Sequence, residues 1–390
     1  MTSTPTLHVA LIGTGFMGAA HSQAFRVAPR FFDLPFHPEM TVIVGRDAAK
    51  TQAAAEKLGW AEASTDWREV VARDDVDLVD ICSPGDSHAE IAIAALQAGK
   101  HVLCEKPLAN TVEEARAMAD AARDAAARGI RSMVGFSYRR VPALTFAREL
   151  VQAGRIGEVR QARAAYLQDW LVDENGPMTW RLDKKLAGSG SLGDIGAHAV
   201  DAVQFITGQS VEQVSGHLRT FVTERPLLAS GVGLSGTASD ERGTVTVDDA
   251  AWFTGQLSGG AVASFEATRY ATGRKNGLKI EIFGSRGAIV FDLEKMNELE
   301  FYDGADAAGE QGFRRIFVTE PEHPYAAAWW PTGHGLGYEH PFSHQVRDLI
   351  FDIAEERAPS PSFDDGLQVQ QVLDAVERSS ADSARWTTVS

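Results

Sequence analysis

The pattern that most restricts this chain is Gly13-Thr14-Gly15-Phe16-Met17-Gly18. It lies between a short apolar run, Leu7–Ile12, and a helix-forming stretch reaching about Val27. The first glycine permits a tight strand-to-helix turn, the second lets a pyrophosphate approach the backbone, and the third packs helix against strand. A helix that starts there offers unpaired N–H groups and the positive end of its dipole to an anion. Strand, loop and helix in this order predict a dinucleotide-binding βαβ unit.

The alternation continues downstream. Residues 26–39, rich in Pro and Phe, read as an irregular insertion before a second strand, Thr41–Val44. Lys50–Leu58 is helical, Val76–Cys82 is a buried strand, and Ser87-x-x-Glu90 has the form of a capping box opening a helix that Gly99 ends. His101–Cys104 is the next strand. Thr111-x-x-Glu114 opens another helix that stops near Gly129, before the strand Arg131–Val134. Strands alternating with helices predict an α/β domain over residues 1–137, a doubly wound parallel sheet of the Rossmann type. Ligands on such sheets sit at the carboxyl ends of the strands. Here those ends carry Gly13–Gly18, Gly45-Arg46, Ser83-Pro84 with His88 just beyond, and Glu105-Lys106-Pro107.

After Tyr138 the texture changes. A helix near Val141–Ala153 and a glycine-rich helix are followed by β-type segments at Val211–Val222, Thr244–Leu257, Ala261–Tyr270, Lys279–Phe283 and Ala288–Leu293. Helical stretches near Phe342–Glu356 and Leu367–Arg378 close the chain. Residues 138–390 therefore read as an α+β domain with a large, mostly antiparallel open sheet, for substrate binding and oligomerisation. A sheet face without helical cover suits pairing with another copy, so a homo-oligomer, dimer or tetramer, is expected.

At 390 residues two domains are the natural division. Fifty-three acidic against 37 basic residues leave a net charge of −16, which opposes nucleic acid and anionic membranes as partners. Two cysteines, Cys82 and Cys104, sit in apolar segments and suit a reducing compartment. No apolar run is long enough for a membrane span. The expected location is the cytoplasm.

Two further stretches carry chemistry. In residues 188–201 four glycines within nine positions allow close backbone approach, and Asp194 and His198 stand four apart, on one face of a helix. A carboxylate beside an imidazole suits proton transfer. Cys104-Glu105-Lys106-Pro107 places Lys106 at a strand end lining the cofactor crevice, within reach of a substrate hydroxyl. For a small-molecule pocket the candidates are Tyr138, Gln168, Trp170, Trp180, Arg181 and Asn276, with Gln168 and Trp170 alternating on one face of a strand. Aromatic faces and amides are the usual partners of a neutral sugar.

The glycine loop, Glu105-Lys106-Pro107 and the glycine-rich stretch with its Asp-x-x-x-His resemble the Gfo/Idh/MocA family, in order and spacing over nearly the whole chain. That resemblance implies an NAD(P)-dependent dehydrogenase with Lys106, Asp194 and His198 as the catalytic trio, and no metal. Reversible hydride transfer would link a ring secondary hydroxyl and the nicotinamide. His198 would be acid/base, Lys106 would stabilise alkoxide charge, and Asp194 would orient one of them. Two departures stand out. Many members have Thr-Pro-Asn where this chain has Ser83-Pro84-Gly85. A carboxylate common in NAD-preferring members is replaced by Gly45, and Arg46 beside it could pair with the 2′-phosphate of NADP. The tryptophan-rich segment 168–181 and Tyr338-Glu339-His340 resemble a branch that oxidises the C3 hydroxyl of a neutral anhydrosugar with NAD. This sets NAD as the expected cofactor, with NADP the alternative. An inositol dehydrogenase or a cofactor-sensing regulator of the same fold are the competing readings. The aromatic, glycine-rich loop 323–344 reads as a lid or an intersubunit arm.

Overall fold

The strand–helix alternation of the first third forms a single parallel sheet. In the computed structural model, which describes residues 4–230 and 237–390, its elements are β1 (Thr6–Ile12), α1 (Phe16–Phe31), β2 (His37–Val44), α2 (Ala48–Leu58), β3 (Glu62–Ser64), α3 (Trp67–Val71), β4 (Leu78–Ile81), α4 (His88–Gln97), β5 (His101–Cys104), α5 (Val112–Ala126) and β6 (Ser132–Val134). Strand order is β3-β2-β1-β4-β5-β6, every pair parallel. The order reverses direction between β1 and β4, the switch point where such sheets bind ligands. Val9 to Ile12 are all buried, as expected of a strand covered on both faces.

Two local expectations need correction. Residues 26–39 are not an insertion, because α1 runs to Phe31 and β2 begins at His37. Pro29 lies in the last turn of α1, where its missing N–H costs one bond and the helix ends two residues later. The Ser87/Glu90 capping box does not form. The Ser87 hydroxyl donates to the Pro84 carbonyl at 2.8 Å, and Glu90 pairs with Arg68. The second box does form, with Thr111 accepting from the Glu114 N–H and Glu114 accepting from the Thr111 N–H.

The second unit contains α6 (Pro142–Gln152), β7 (Val159–Leu167), α7 (Lys184–Ala187), α8 (Ala197–Thr207), β8 (Val211–Arg219), β9 (Glu224–Ser230), β10 (Thr237–Thr244), β11 (Ala250–Leu257), β12 (Val262–Thr268), β13 (Gly277–Gly284), β14 (Gly287–Asp292), β15 (Glu298–Asp303) and β16 (Arg314–Phe317). Last come α9 (His340–Ala354), α10 (Phe363–Ala381) and β17 (Thr387–Thr388). Nine strands form one sheet in the order β16-β15-β14-β13-β7-β12-β11-β8-β17. Of its pairs only β7–β12 is parallel. Helices α6 and α8 pack together, and α8 lies on β7, β12 and β13. Along β11 the burial alternates, with Phe253 buried and Trp252 exposed.

The chain divides into a unit of residues 1–140 with 336–367 and a unit of residues 141–335 with 368–390. The segment 336–367 thus groups with the first unit rather than with the rest of 138–390. Phe342, Val346, Leu349 and Ile350 of α9 join Val9, Leu11, Phe25 and Ile43 in one core. No helix among the described residues is long and apolar enough to cross a membrane.

Candidate active site

In the first unit the glycine loop has the required geometry. Gly13 has φ of +122°, in the region glycine favours, and a Cβ there would lie 2.6 Å from the Cys82 carbonyl. On Gly18 a Cβ would run into the Gly13 oxygen, so α1 can approach the loop only without a side chain. A Cβ on Gly15 would meet nothing within 4 Å, Phe16 is exposed, and no side chain caps the first turn of α1. Open space over uncapped N–H groups is a cradle that fits a pyrophosphate. Thr14 and Met17 complete the loop. At the end of β2 the Gly45 N–H donates to the Ser64 carbonyl at 3.1 Å, and Arg46 is exposed. The Asp47 carboxylate is engaged in capping α2, accepting from the Lys50 N–H at 3.0 Å.

The ends of β4 and β5 are tied together by His88. Its ring stands between the carbonyls of Ser83 (2.9 Å) and Pro107 (3.1 Å). A Cβ on Gly85 would be 2.5 Å from Asn110 Oδ1. Asn110, from the loop after Pro107, therefore fills the space beside this turn. Sequence reading missed Asn110, which is distant in the chain. Half-buried Lys106 donates its backbone N–H to its neighbour's Glu105 Oε2 at 3.2 Å.

Beneath Lys106 lies a buried polar group. His21 Nδ1 is 2.8 Å from Asp80 Oδ2, and Nε2 is 3.1 Å from Glu105 Oε1. Burial alone would lower the imidazole pKa, but Asp80 outweighs it and holds His21 well above its ordinary value. An imidazolium can donate from both nitrogens at once, as two facing carboxylates require. Cys82 lies 3.7 Å from Asp80, completing a set of metal-type ligands. With both ring nitrogens already facing carboxylates, the group ties α1, β4 and β5 together.

In the second unit the glycine-rich stretch departs from the expected plain α-helix. Leu192–Gly196 forms a π-turn, and α8 starts only at Ala197, so Asp194 lies in the widened turn and His198 in the first turn of α8. Buried Asp248 shapes it. Its carboxylate accepts from the Gly190 N–H (2.7 Å), the Ser191 hydroxyl (2.6 Å) and the Leu192 N–H (2.8 Å). The Gly190 backbone lies so close to Asp248 that a Cβ would overlap the Asp248 carbonyl.

Around this turn the structure assembles three of the six pocket candidates, Gln168, Trp170 and Asn276. Buried His198 has the Tyr166 ring 6.1 Å away. The Tyr166 hydroxyl and Gln168 Nε2 both donate to Asn276 Oδ1, at 2.7 and 2.8 Å. Trp170 Nε1 donates to Gln168 Oε1 at 2.8 Å. Gln168 and Trp170 lie just beyond β7, not on a strand face as expected, and hydrogen bonding rather than the pleat brings them together. Asp194 is paired with Arg269, Oδ2 to Nη1 3.5 Å. Trp180 and Arg181 form a separate pair, the guanidinium 4.4 Å from the ring. Tyr138 is buried in a 3-10 turn of the first unit, residues 137–140. Tyr166 and Arg269 were missed because they lie in ordinary β-type sequence. Their partners, Asn276 and Asp194, are far off in the chain.

Residues 7–135 match the family model for the oxidoreductase family with the NAD-binding Rossmann fold, and residues 144–290 match that for the GFO/IDH/MocA C-terminal domain. The chain belongs to the Gfo/Idh/MocA family. As a member, it is an oxidoreductase whose first unit is an NAD-binding Rossmann domain. It is 42% identical to levoglucosan dehydrogenase of Pseudarthrobacter phenanthrenivorans over 388 residues, 98% of each chain. The crystal structure of an oxidoreductase domain protein from Kribbella flavida superposes with a TM-score of 0.95 at 62% identity, covering 99% of this chain and all of that one. A levoglucosan dehydrogenase complex with NADH and levoglucosan gives 0.92 at 41% identity, over 98% and 99% of the two chains. This Gfo/Idh/MocA chain is therefore similar to sugar dehydrogenases along its whole length.

Proposed function

We propose that this protein is an NAD-dependent dehydrogenase that oxidises a ring secondary hydroxyl of a neutral sugar or anhydrosugar to the ketone, of the levoglucosan 3-dehydrogenase type. The observation that carries the reading is the bonded set Tyr166, Asn276, Gln168 and Trp170 around the turn of Asp194 and His198. Amides and aromatic faces recognise hydroxyls and C–H faces, not phosphates. The buried arginines of this region do not supply a phosphate site. Arg225 is engaged with the Leu171 and Asp173 carbonyls, and Arg269 with Asp194.

The glycine loop would hold the pyrophosphate of NAD, with Gly45, Arg46, Ser83, Pro84, His88 and Glu105 lining the strand ends. NAD, when bound, supplies the hydride acceptor. His198 takes the proton from the substrate hydroxyl, Lys106 donates a hydrogen bond to the same oxygen as negative charge develops, and Asp194 orients the acid/base group. Tyr138, Trp180 and Arg181 are proposed further substrate contacts. Presence of both Lys106 and His198 favours an enzyme over a cofactor-sensing regulator. The reading includes a homo-oligomer using the exposed sheet face that carries Trp252 and Val262.

The test measures NADH formation with levoglucosan, glucose, myo-inositol and glucose 6-phosphate, each with NAD and NADP. Levoglucosan or another neutral sugar with NAD should be preferred. His198→Asn and Lys106→Met should each lower kcat by roughly 10²–10⁴ while NADH binding, followed by fluorescence, survives. Preference for the sugar phosphate over its parent would overturn the substrate class. Preference for myo-inositol would replace it with the cyclitol reading, and full activity in either variant would remove that residue from the mechanism.

A further inference from the structure

We infer that Arg269 is a positioning residue that sets the Asp194 carboxylate and the Trp170 ring against one another. This deepens the sugar-dehydrogenase reading above and rests on it for the identity of the site. Arg269 directly follows β12, and its side chain is 1% exposed. Four contacts converge on it. Nη1 is 3.5 Å from Asp194 Oδ2, and Nη2 donates to the Asp248 carbonyl at 3.3 Å. The guanidinium carbon is 5.2 Å from the centre of the Trp170 ring. Its backbone carbonyl accepts the N–H of Leu171, the residue after Trp170, at 3.2 Å. One residue therefore touches the π-turn that carries Asp194, the aspartate that shapes that turn, and the loop that carries Trp170.

The chemistry favours this role over simple filling of the core. A buried guanidinium is costly without a counter-charge, so the Asp194 carboxylate is held where Arg269 requires it. Only the flat guanidinium can present its edge to a carboxylate and a carbonyl while its face meets an indole. An ammonium supplies charge without that planar match. Asp194 and Trp170 are 24 positions apart and share no element, so neither can register on the other through local structure. Gln168 and Asn276 follow Trp170, because its indole N–H donates to the Gln168 oxygen and Gln168 in turn donates to Asn276.

This division of labour predicts a split between variants. Arg269→Lys keeps a charge beside Asp194 and loses the face against Trp170. It should raise KM for levoglucosan about five- to tenfold, the scale of a partly desolvated cation–π contact, with kcat falling less than about threefold. Arg269→Met removes both partners and should also lower kcat by about 10²-fold. If the KM effect acts through Trp170, Arg269→Lys combined with Trp170→Leu should raise KM no more than Trp170→Leu alone. NADH binding should be unchanged throughout, since the glycine loop lies in the other unit.

A second readout does not depend on turnover. The near-ultraviolet circular dichroism band removed by Trp170→Leu should shrink in Arg269→Lys as well. If Arg269→Met does not fold, Arg269→Lys and Trp170→Leu still carry the test. Additive KM effects, or an unchanged Trp170 band in Arg269→Lys, would overturn the inference. Parallel losses of kcat, KM and NADH affinity in Arg269→Lys would do the same by showing a purely structural role. A wild-type protein that oxidises no neutral sugar would defeat the functional reading instead, and the dichroism would still decide the role of Arg269.

Discussion

Asp248→Asn is the sharpest test of how the candidate site is built. The carboxylate receives three donors, the Gly190 and Leu192 N–H groups and the Ser191 hydroxyl, all within 2.8 Å, and the residue is 7% exposed. An asparagine keeps one acceptor oxygen and turns an NH₂ toward whatever faced the other. With the oxygen toward Ser191 and Leu192, the Gly190 N–H faces a donor. With the amide flipped, the Leu192 N–H does, while Ser191 can still donate to the Ala267 carbonyl at 3.2 Å. Either way at least one buried N–H is left unsatisfied, costing about 1–3 kcal/mol, and the surviving bonds lose their charge assistance, roughly 0.5–1 kcal/mol each. The expected loss is about 2–4 kcal/mol. Asp248→Ala, which strands both N–H groups, should lose more, and Ser191→Ala only about 1 kcal/mol. Urea unfolding of the wild type and the three variants, followed by tryptophan fluorescence and far-ultraviolet circular dichroism, measures the series. Asp248→Asn should also lower kcat, because Asp194 is carried by the turn that loosens. A loss below about 1 kcal/mol, or Asp248→Asn as destabilising as Asp248→Ala, would refute the assignment of the turn to this carboxylate.

Cofactor choice is tested at Gly45. Gly45→Asp should lower kcat/KM with NADP at least about tenfold relative to NAD, since a carboxylate repels the 2′-phosphate. A Cβ at this position would crowd Thr51 Oγ1, whose hydroxyl donates to Asp47, so the variant is made with Thr51→Ala. An unchanged cofactor ratio in that background would mean Gly45 does not face the ribose. His344 gives a pH dependence. It is fully buried on α9, its Nδ1–H donates to the Arg140 carbonyl at 2.9 Å, and burial lowers its pKa from 6.5 to about 3. The folded protein thus holds the neutral ring while the unfolded chain takes up the proton first. Stability from this group is complete above about pH 6.5 and falls as the pH drops toward 3, by about 2–3 kcal/mol between pH 6.5 and 4.5. His344→Gln should remove that part of the slope in urea unfolding measured across this range, and an identical slope would show that His344 is not its source.

The amino-acid sequence by itself determined the parallel sheet and the glycine turn that joins β1 to α1, and it marked out Lys106, Asp194 and His198 as candidates. Each is written in short-range terms: apolar runs a few residues long, glycines at fixed offsets, and a charged residue at a strand end. The Thr111–Glu114 box formed as read because both partners lie within one turn. The Ser87–Glu90 pair, of the same form, did not, because Arg68 on another helix competes for Glu90. Only the tertiary structure decided the remainder. It placed α9 in the core of the first unit, put Asn110 into the space beside Gly85, and opened the helix before His198 into a π-turn around Asp248. It also set Arg269 between Asp194 and Trp170, and hydrogen-bonded Gln168 to Asn276 across 108 positions of chain. A backbone period records which way a side chain faces its own element. It carries no information about which distant residue will meet it, because that contact exists only once the sheets have closed.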